Sequence, residues 1–110
     1  MFLTPSTKGD PVEQHTVGPA NWQAKFPVGQ IVATPNALAS IANDEILLAL
    51  SRHVRGDWGT LDKEDWTANE HALQHGGRLL SAYHSGQNVK FWIITEADRT
   101  VTTVLLPEDY

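Results

Sequence analysis

Residues Gly76–Tyr110 read GGRLLSAYHSGQNVKFWIITEADRTVTTVLLPEDY, and the architecture follows from this segment. Three runs rich in β-branched and aromatic residues, Arg78–His84, Val89–Thr95 and Thr100–Leu106, are separated by two four-residue turn signals, Ser85-Gly86-Gln87-Asn88 and Glu96-Ala97-Asp98-Arg99. The pattern predicts an antiparallel three-stranded meander. Its middle run, Phe91-Trp92-Ile93-Ile94, is apolar on both faces. A strand of that kind sits inside a sheet, covered by helices on one side and at least partly shielded on the other. Trp92 is therefore expected in the core. Pro107 ends the last strand, because it has no amide proton for a ladder.

Upstream of the meander the signals are helical. Val28–Ala33 reads as a short strand that can join the sheet at an edge. Thr34-Pro35 is a helix start, with Thr34 as N-cap and proline at the first helical position, and a short helix over Asn36–Ala42 is expected. A second helix begins at Asn43-Asp44-Glu45, where Asn43 can cap and the two acids suit the positive end of the dipole. It places Ile46, Leu47, Leu50 and Val54 on one face and runs to about His53. A third helix opens at Leu61–Trp66 with Asp62 as N-cap and Asp65 three residues on, turns Trp66, Asn69, Ala72 and Leu73 inward, and stops at Gly76-Gly77. The fold class is α+β: a short N-terminal strand and two to three helices packed on a C-terminal three-stranded antiparallel meander. Residues 1–25, with Pro5, Gly9, Pro11, Gly18 and Pro19 and no apolar period, are expected to form a flexible N-terminal arm anchored at Trp22. Residues 26–110 are expected to form one domain.

The chain has 110 residues, long enough for a modest core without staples. It has no cysteine, so neither disulfides nor thiolate metal sites are available to it. No apolar run approaches the roughly 20 residues that span a bilayer, and the first residues lack the basic start and apolar stretch of a secretory signal. A cytoplasmic protein with no membrane partner is expected. Lys and Arg number 8 against 13 Asp and Glu, a net charge of −5. Lys8 and Lys25 balance Asp10 and Glu13, so the acidic excess lies beyond residue 26, around Asp62, Glu64, Asp65 and Glu70 and at Glu108-Asp109. An acidic domain is a poor generic binder of phosphate backbones, which disfavours duplex DNA.

Three strings, FPVGQIVATPNAL (Phe26–Leu38), LSRHVRGDWG (Leu50–Gly59) and the block from Arg78 to Tyr110, resemble a family of small proteins encoded on proteobacterial plasmids and integrative elements, usually labelled plasmid-related proteins. The resemblance covers nearly everything from Phe26 onward. It implies a genetic context rather than an activity, and it supplies no catalytic residue.

The candidate chemistry comes from the residues alone. Arg52-His53-Val54-Arg55-Gly56-Asp57-Trp58-Gly59 places a histidine between two arginines and ahead of an aromatic. Metal-independent RNA cleavage uses such groups: His53 to move a proton, Arg52 or Arg55, with Arg99 from the second hairpin, to stabilise phosphate charge, and Trp58 to stack a base. The layering loosely resembles small toxin ribonucleases of the barnase sort, an analogy of architecture only. The bland reading of the same residues is a helix end and a turn, with the arginines paired to nearby acids. His71 and His75, spaced i, i+4, share a face that could hold a metal with Glu70 or His84. With no third ligand specified, the pattern reads better as two surface histidines, and no metal or cofactor is expected. Trp58, between glycines in a turn, is the tryptophan best placed to be exposed, and an exposed turn tryptophan anchors partners; the same position equally allows it to fold back as a lid on the helix pair. Asp57, Trp58, Tyr83 and Tyr110 form the expected partner-binding set. The function expected is that of a small accessory protein of a mobile element that binds a macromolecule, a protein before an RNA. The alternative is a ribonuclease-like enzyme using His53, Arg52, Arg55 and Arg99. If His53 and two of those arginines converge on an open cleft, the enzyme gains; an apolar concavity lined by Trp58 and strand side chains favours binding.

Overall fold

The computed structural model describes residues 23–110. The chain is α+β: three helices and a four-stranded mixed sheet. Strands β1 (Gln30–Ala33), β2 (Leu79–His84), β3 (Lys90–Thr95) and β4 (Val101–Leu105) lie in the order β1-β4-β3-β2. Helices α1 (Pro35–Ser40), α2 (Asn43–Val54) and α3 (Lys63–His75) fall between β1 and β2 in sequence, and a 3-10 turn, Pro107–Asp109, follows β4. The meander forms as the pattern predicts, with Ser81 opposite Ile93 and Ile93 opposite Val104. β1 joins at the edge, parallel to β4, with Ile31 opposite Thr102. The expected arm, residues 1–25, falls almost wholly outside the described residues. At its end the Lys25 amide donates to the Val54 carbonyl at 2.7 Å, and Phe26 is buried.

Local signals set the helix ends. Thr34 caps α1, its Oγ1 accepting from the Ala37 amide at 3.1 Å, with Pro35 at the first helical position. Asp62 caps α3 by accepting from the Asp65 amide at 2.8 Å. The cap of α2 differs from expectation. Ala42 occupies the cap position without a side-chain bond, and Asn43 is already helical. Here the Glu45 amide is shared between the Asp44 carboxylate at 2.9 Å and the Ala42 carbonyl at 3.0 Å.

Strand alternation gives the sheet two different faces. Register puts Ile31, Ala33, Leu79, Ser81, Tyr83, Phe91, Ile93, Thr95, Thr102 and Val104 on the inner face, and all are buried. Ala37 of α1 and Ile46, Ala49, Leu50 and Val54 of α2 pack there, forming the main core together with Phe26, Val28 and Trp58. The outer face carries Leu80, Trp92, Ile94, Thr103 and Leu105. Ile94 and Leu105 are buried, while Trp92 is only half-buried. The expectation of Trp92 in the core is thus corrected: register turns it away from the helix layer, to the opposite face from Phe91 and Ile93.

Helix α3 runs along the free edge of β2 and helps close it. The buried Asn69 amide donates to the Leu80 carbonyl at 2.5 Å, and its oxygen accepts from the Leu80 amide at 3.1 Å. Two residues along, Ala82 donates to the Trp58 carbonyl at 3.1 Å and accepts from the Thr60 amide at 2.8 Å. An edge whose polar groups are already served does not recruit another strand. The segment around Gly59 fits against Ala82 only because Gly59 has no Cβ and adopts φ 79.

Candidate functional site

The Arg52–Gly59 string folds into a structural knot. His53 is fully buried under α2 and bonded on both ring nitrogens, to Ser81 Oγ at 2.6 Å and to Thr95 Oγ1 at 2.9 Å. The proton positions follow from the far end of the chain of bonds. The Val28 carbonyl can only accept, so Thr102 donates its hydroxyl proton to it at 2.8 Å. Thr95 therefore donates to Thr102, at 2.7 Å. Thr95 can then only accept from His53, so Nε2 carries the proton and Nδ1 accepts from the Ser81 hydroxyl. Burial, with Arg99 as a further cause, drives the His53 pKa down from 6.5 to about 3. The imidazole is neutral and locked in one tautomer.

Ser81, His53 and Thr95 have the connectivity of a nucleophile, a base and an orienting group. None of the three has exposed surface, so a substrate has no path to the serine oxygen. The arginines do not converge on His53. Arg52 turns to Asp57, its Nε donating to Oδ2 at 2.8 Å, and lies 4.7 Å from the Tyr83 ring centroid. This pairing raises the Arg52 pKa and lowers that of Asp57, in each case chiefly through the hydrogen bond between them. Arg55 is exposed. The Arg99 guanidinium donates to the carbonyls of Gly77 at 2.5 Å, Ala72 at 3.1 Å and Glu96 at 3.1 Å. It ties the end of α3 to the second hairpin instead of facing a cleft.

Of the expected partner-binding set, three members are internal or committed. Trp58 has no exposed surface, so of the two readings open for it the exposed one fails and the folded-back one holds. Its ring stacks near Phe26, with centroids 6.2 Å apart, and meets His53 edge-on at 5.6 Å. Its Nε1 donates to Glu70 Oε2 at 2.8 Å, which serves the one polar atom that would otherwise keep the indole at the surface. Tyr83 is buried and donates to the Asp57 carbonyl at 2.6 Å, and burial raises the pKa of its hydroxyl. Asp57 also accepts from the Gly59 amide at 3.3 Å. Only Tyr110 is fully on the surface, 68% exposed.

Tyr110 leads to a concavity that opens to solvent. A hollow of about 340 Å³ on the outer side of the sheet is lined by Leu61, Asp65, Ala68, Asn69, Arg78, Leu80, Trp92, Ile94 and Tyr110. Its floor is Leu80, Trp92 and Ile94. One wall is the first turns of α3, and the other is Tyr110, edge-on to Trp92 at 5.9 Å. The Arg78 guanidinium donates to the Tyr110 hydroxyl at 2.5 Å and pairs with Glu96 at 3.3 Å. Those bonds, that to Tyr110 first, raise the Arg78 pKa. Asp65, Ala68, Arg78 and Tyr110 are exposed at the rim. The 3-10 turn that delivers Tyr110 is held by Asp109, which accepts from Thr34 Oγ1 at 2.7 Å and Asn36 Nδ2 at 2.7 Å. These bonds lower the Asp109 pKa.

Sequence reasoning named Tyr110 but missed Trp92, Leu80, Ile94 and Asp65 as a surface. The signal was present: a strand apolar on both faces declares two apolar surfaces, and only one of them needs a helix layer. His71 and His75 lie exposed on α3 with ring centroids 4.4 Å apart. Glu70 is bonded to Trp58, and among the described residues no group of three histidine or acidic side chains is arranged to hold a metal ion. No helix among the described residues is long and apolar enough to cross a membrane. No protein-family model, no curated protein and no solved structure matches the chain.

Proposed function

We propose that this chain is an accessory protein of a mobile genetic element and that it acts by binding a protein partner in the hollow floored by Trp92 and walled by Tyr110. The observation that carries the reading is the contrast between the two candidate surfaces. The titratable group best suited to catalysis is sealed in the core, while the hollow on the outer face of the sheet is floored by the apolar strand side chains Leu80, Trp92 and Ile94 and has Tyr110 at its rim. Apolar hollows with a few polar groups at the rim are the common form of binding sites, and buried aromatic anchors dominate the energetics of protein recognition. The genetic context rests on the resemblance of the three strings described above. The closed edge of β2 supports side-chain insertion over strand addition as the binding mode, because the backbone groups of Leu80 and Ala82 are already bonded.

The test is site-specific photo-crosslinking in cells carrying such an element, with the crosslinker at Leu80 or, as a control, at exposed Leu48 of α2. A discrete protein adduct should form from position 80 and not from position 48. The purified adduct partner should bind the wild-type chain and lose about tenfold or more in affinity for Trp92→Ala, the size of effect expected for an anchor residue. Equal crosslinking from both positions would refute the reading. So would RNA cleavage by the purified chain that disappears in a folded His53 variant.

A further inference from the structure

The rim of the hollow narrows the chemistry of its occupant. Its one cation among the described residues, Arg78, is already engaged by Glu96 and by the Tyr110 hydroxyl. Asp65 on the opposite wall has no ion-pair partner among the described residues. Close to it in sequence, though not lining the hollow, stand the N-cap Asp62 and Glu64 of the first turn of α3, both exposed, against a single Lys63. The hollow therefore presents an apolar floor with the unpaired Asp65 carboxylate on its helix side, next to a stretch of net negative charge. The floor is flanked by a helix rather than by an open strand edge, which suits a helix laid in a groove. A volume of about 340 Å³ holds one or two large apolar side chains, not an extended core.

We infer that the occupant is a basic amphipathic segment of the partner, inserting one or two large apolar side chains over Trp92 and setting lysine or arginine against Asp65 and its acidic neighbours. This rests on the hollow being the binding surface, as proposed above. Charge complementarity of this kind steers encounter and selects partners more than it adds affinity, and its exposed pairs weaken as salt rises.

The probes are two synthetic helical peptides of identical apolar pattern, one built from leucine and lysine, the other from leucine and glutamate. Each is titrated into the full isotope-labelled chain while the Trp92 indole N–H resonance is followed, assigned by its loss in Trp92→Phe. The lysine peptide should shift that resonance, and its affinity should fall with added salt. Asp65→Asn should weaken it roughly three- to fivefold, the size of one rim charge pair. Asp44→Asn at the start of α2 should leave it unchanged, which separates the hollow from the general attraction of an acidic protein. If the glutamate peptide moves Trp92 as strongly as the lysine peptide, the inference of a basic partner is overturned while the hollow remains the binding surface. If the lysine peptide binds without moving Trp92, or neither peptide moves it, this inference fails, and the crosslinking from Leu80 decides separately whether the hollow binds a partner of other chemistry.

Discussion

Lowering the pH should destabilise this protein through one residue, His53, before its carboxylates begin to titrate. In the native state the ring is neutral, because it is fully buried and its Nε2–H is committed to Thr95. In the unfolded chain it protonates near pH 6.5, whereas in the folded chain it does so only near pH 3. The folded pKa is depressed, so its contribution to stability is complete above pH 6.5 and declines as pH falls toward 3. The loss is about 1.4 kcal/mol per pH unit once the unfolded imidazole is charged, or about 3 kcal/mol between about pH 7 and pH 4.5. At pH 4.5 that figure is set by the unfolded-state titration and hardly depends on how far below 4 the native value lies. It is a large part of the roughly 5–15 kcal/mol that holds a domain of ordinary stability together. The carboxylates held by native bonds, Asp57 and Asp109, have lowered pKa values and lose their contributions only in stronger acid. Urea unfolding between about pH 7 and pH 4.5 should therefore show the steep decline in wild type and a much shallower one in His53→Gln, which keeps an amide donor for Thr95 but has no titration. If His53→Gln folds poorly, histidine nitrogen shifts in the wild type serve instead: the Nε2–H tautomer should persist to about pH 4. Equal pH slopes in the two proteins, or an imidazole titrating near 6.5, would refute the assignment of His53 as a sealed, directionally bonded core group.

Trp58 of the main core and Trp92 of the outer sheet face should separate in urea unfolding. Trp58→Ala should cost about 3–5 kcal/mol as a full core truncation, and half-buried Trp92→Ala about 1–2 kcal/mol; the reverse order would mean that the faces of the sheet are misassigned. Arg99→Ala should lower stability by about 2 kcal/mol, since it removes charged bonds to carbonyls at the end of α3 and in the hairpin, and amide exchange should speed up first around Ala72–Gly77. A Cβ at Gly59 would collide with the Ala82 carbonyl, whereas one at Gly76 meets nothing within 4 Å. Gly59→Ala should accordingly cost about 3 kcal/mol or more, and Gly76→Ala, strained only by its positive φ, about 1 kcal/mol by thermal unfolding; equal costs would discount the close approach of Gly59 to β2.

What the amino-acid order settles by itself is local. The caps at Thr34 and Asp62, the stop at Gly76, and the turns at Ser85–Asn88 and Glu96–Arg99 depend on contacts a few residues apart, and they fall where the pattern puts them. The meander likewise joins neighbours in sequence. The tertiary structure alone decides which apolar group is covered. Phe91-Trp92-Ile93-Ile94 has no polar face, so periodicity cannot say that Phe91 and Ile93 meet the helices while Trp92 floors an open hollow. A tryptophan between glycines reads equally as exposed or as folded back until Glu70, twelve positions on, offers its Nε1–H a partner. His53 reads as a catalyst until Ser81, Thr95, Thr102 and Val28 close a hydrogen-bonded line around it, the last link joining residues 74 positions apart. Such contacts arise when distant segments meet, and a local period carries no record of them. That is why the candidate site lay on the opposite face of the sheet from most of the residues that looked reactive.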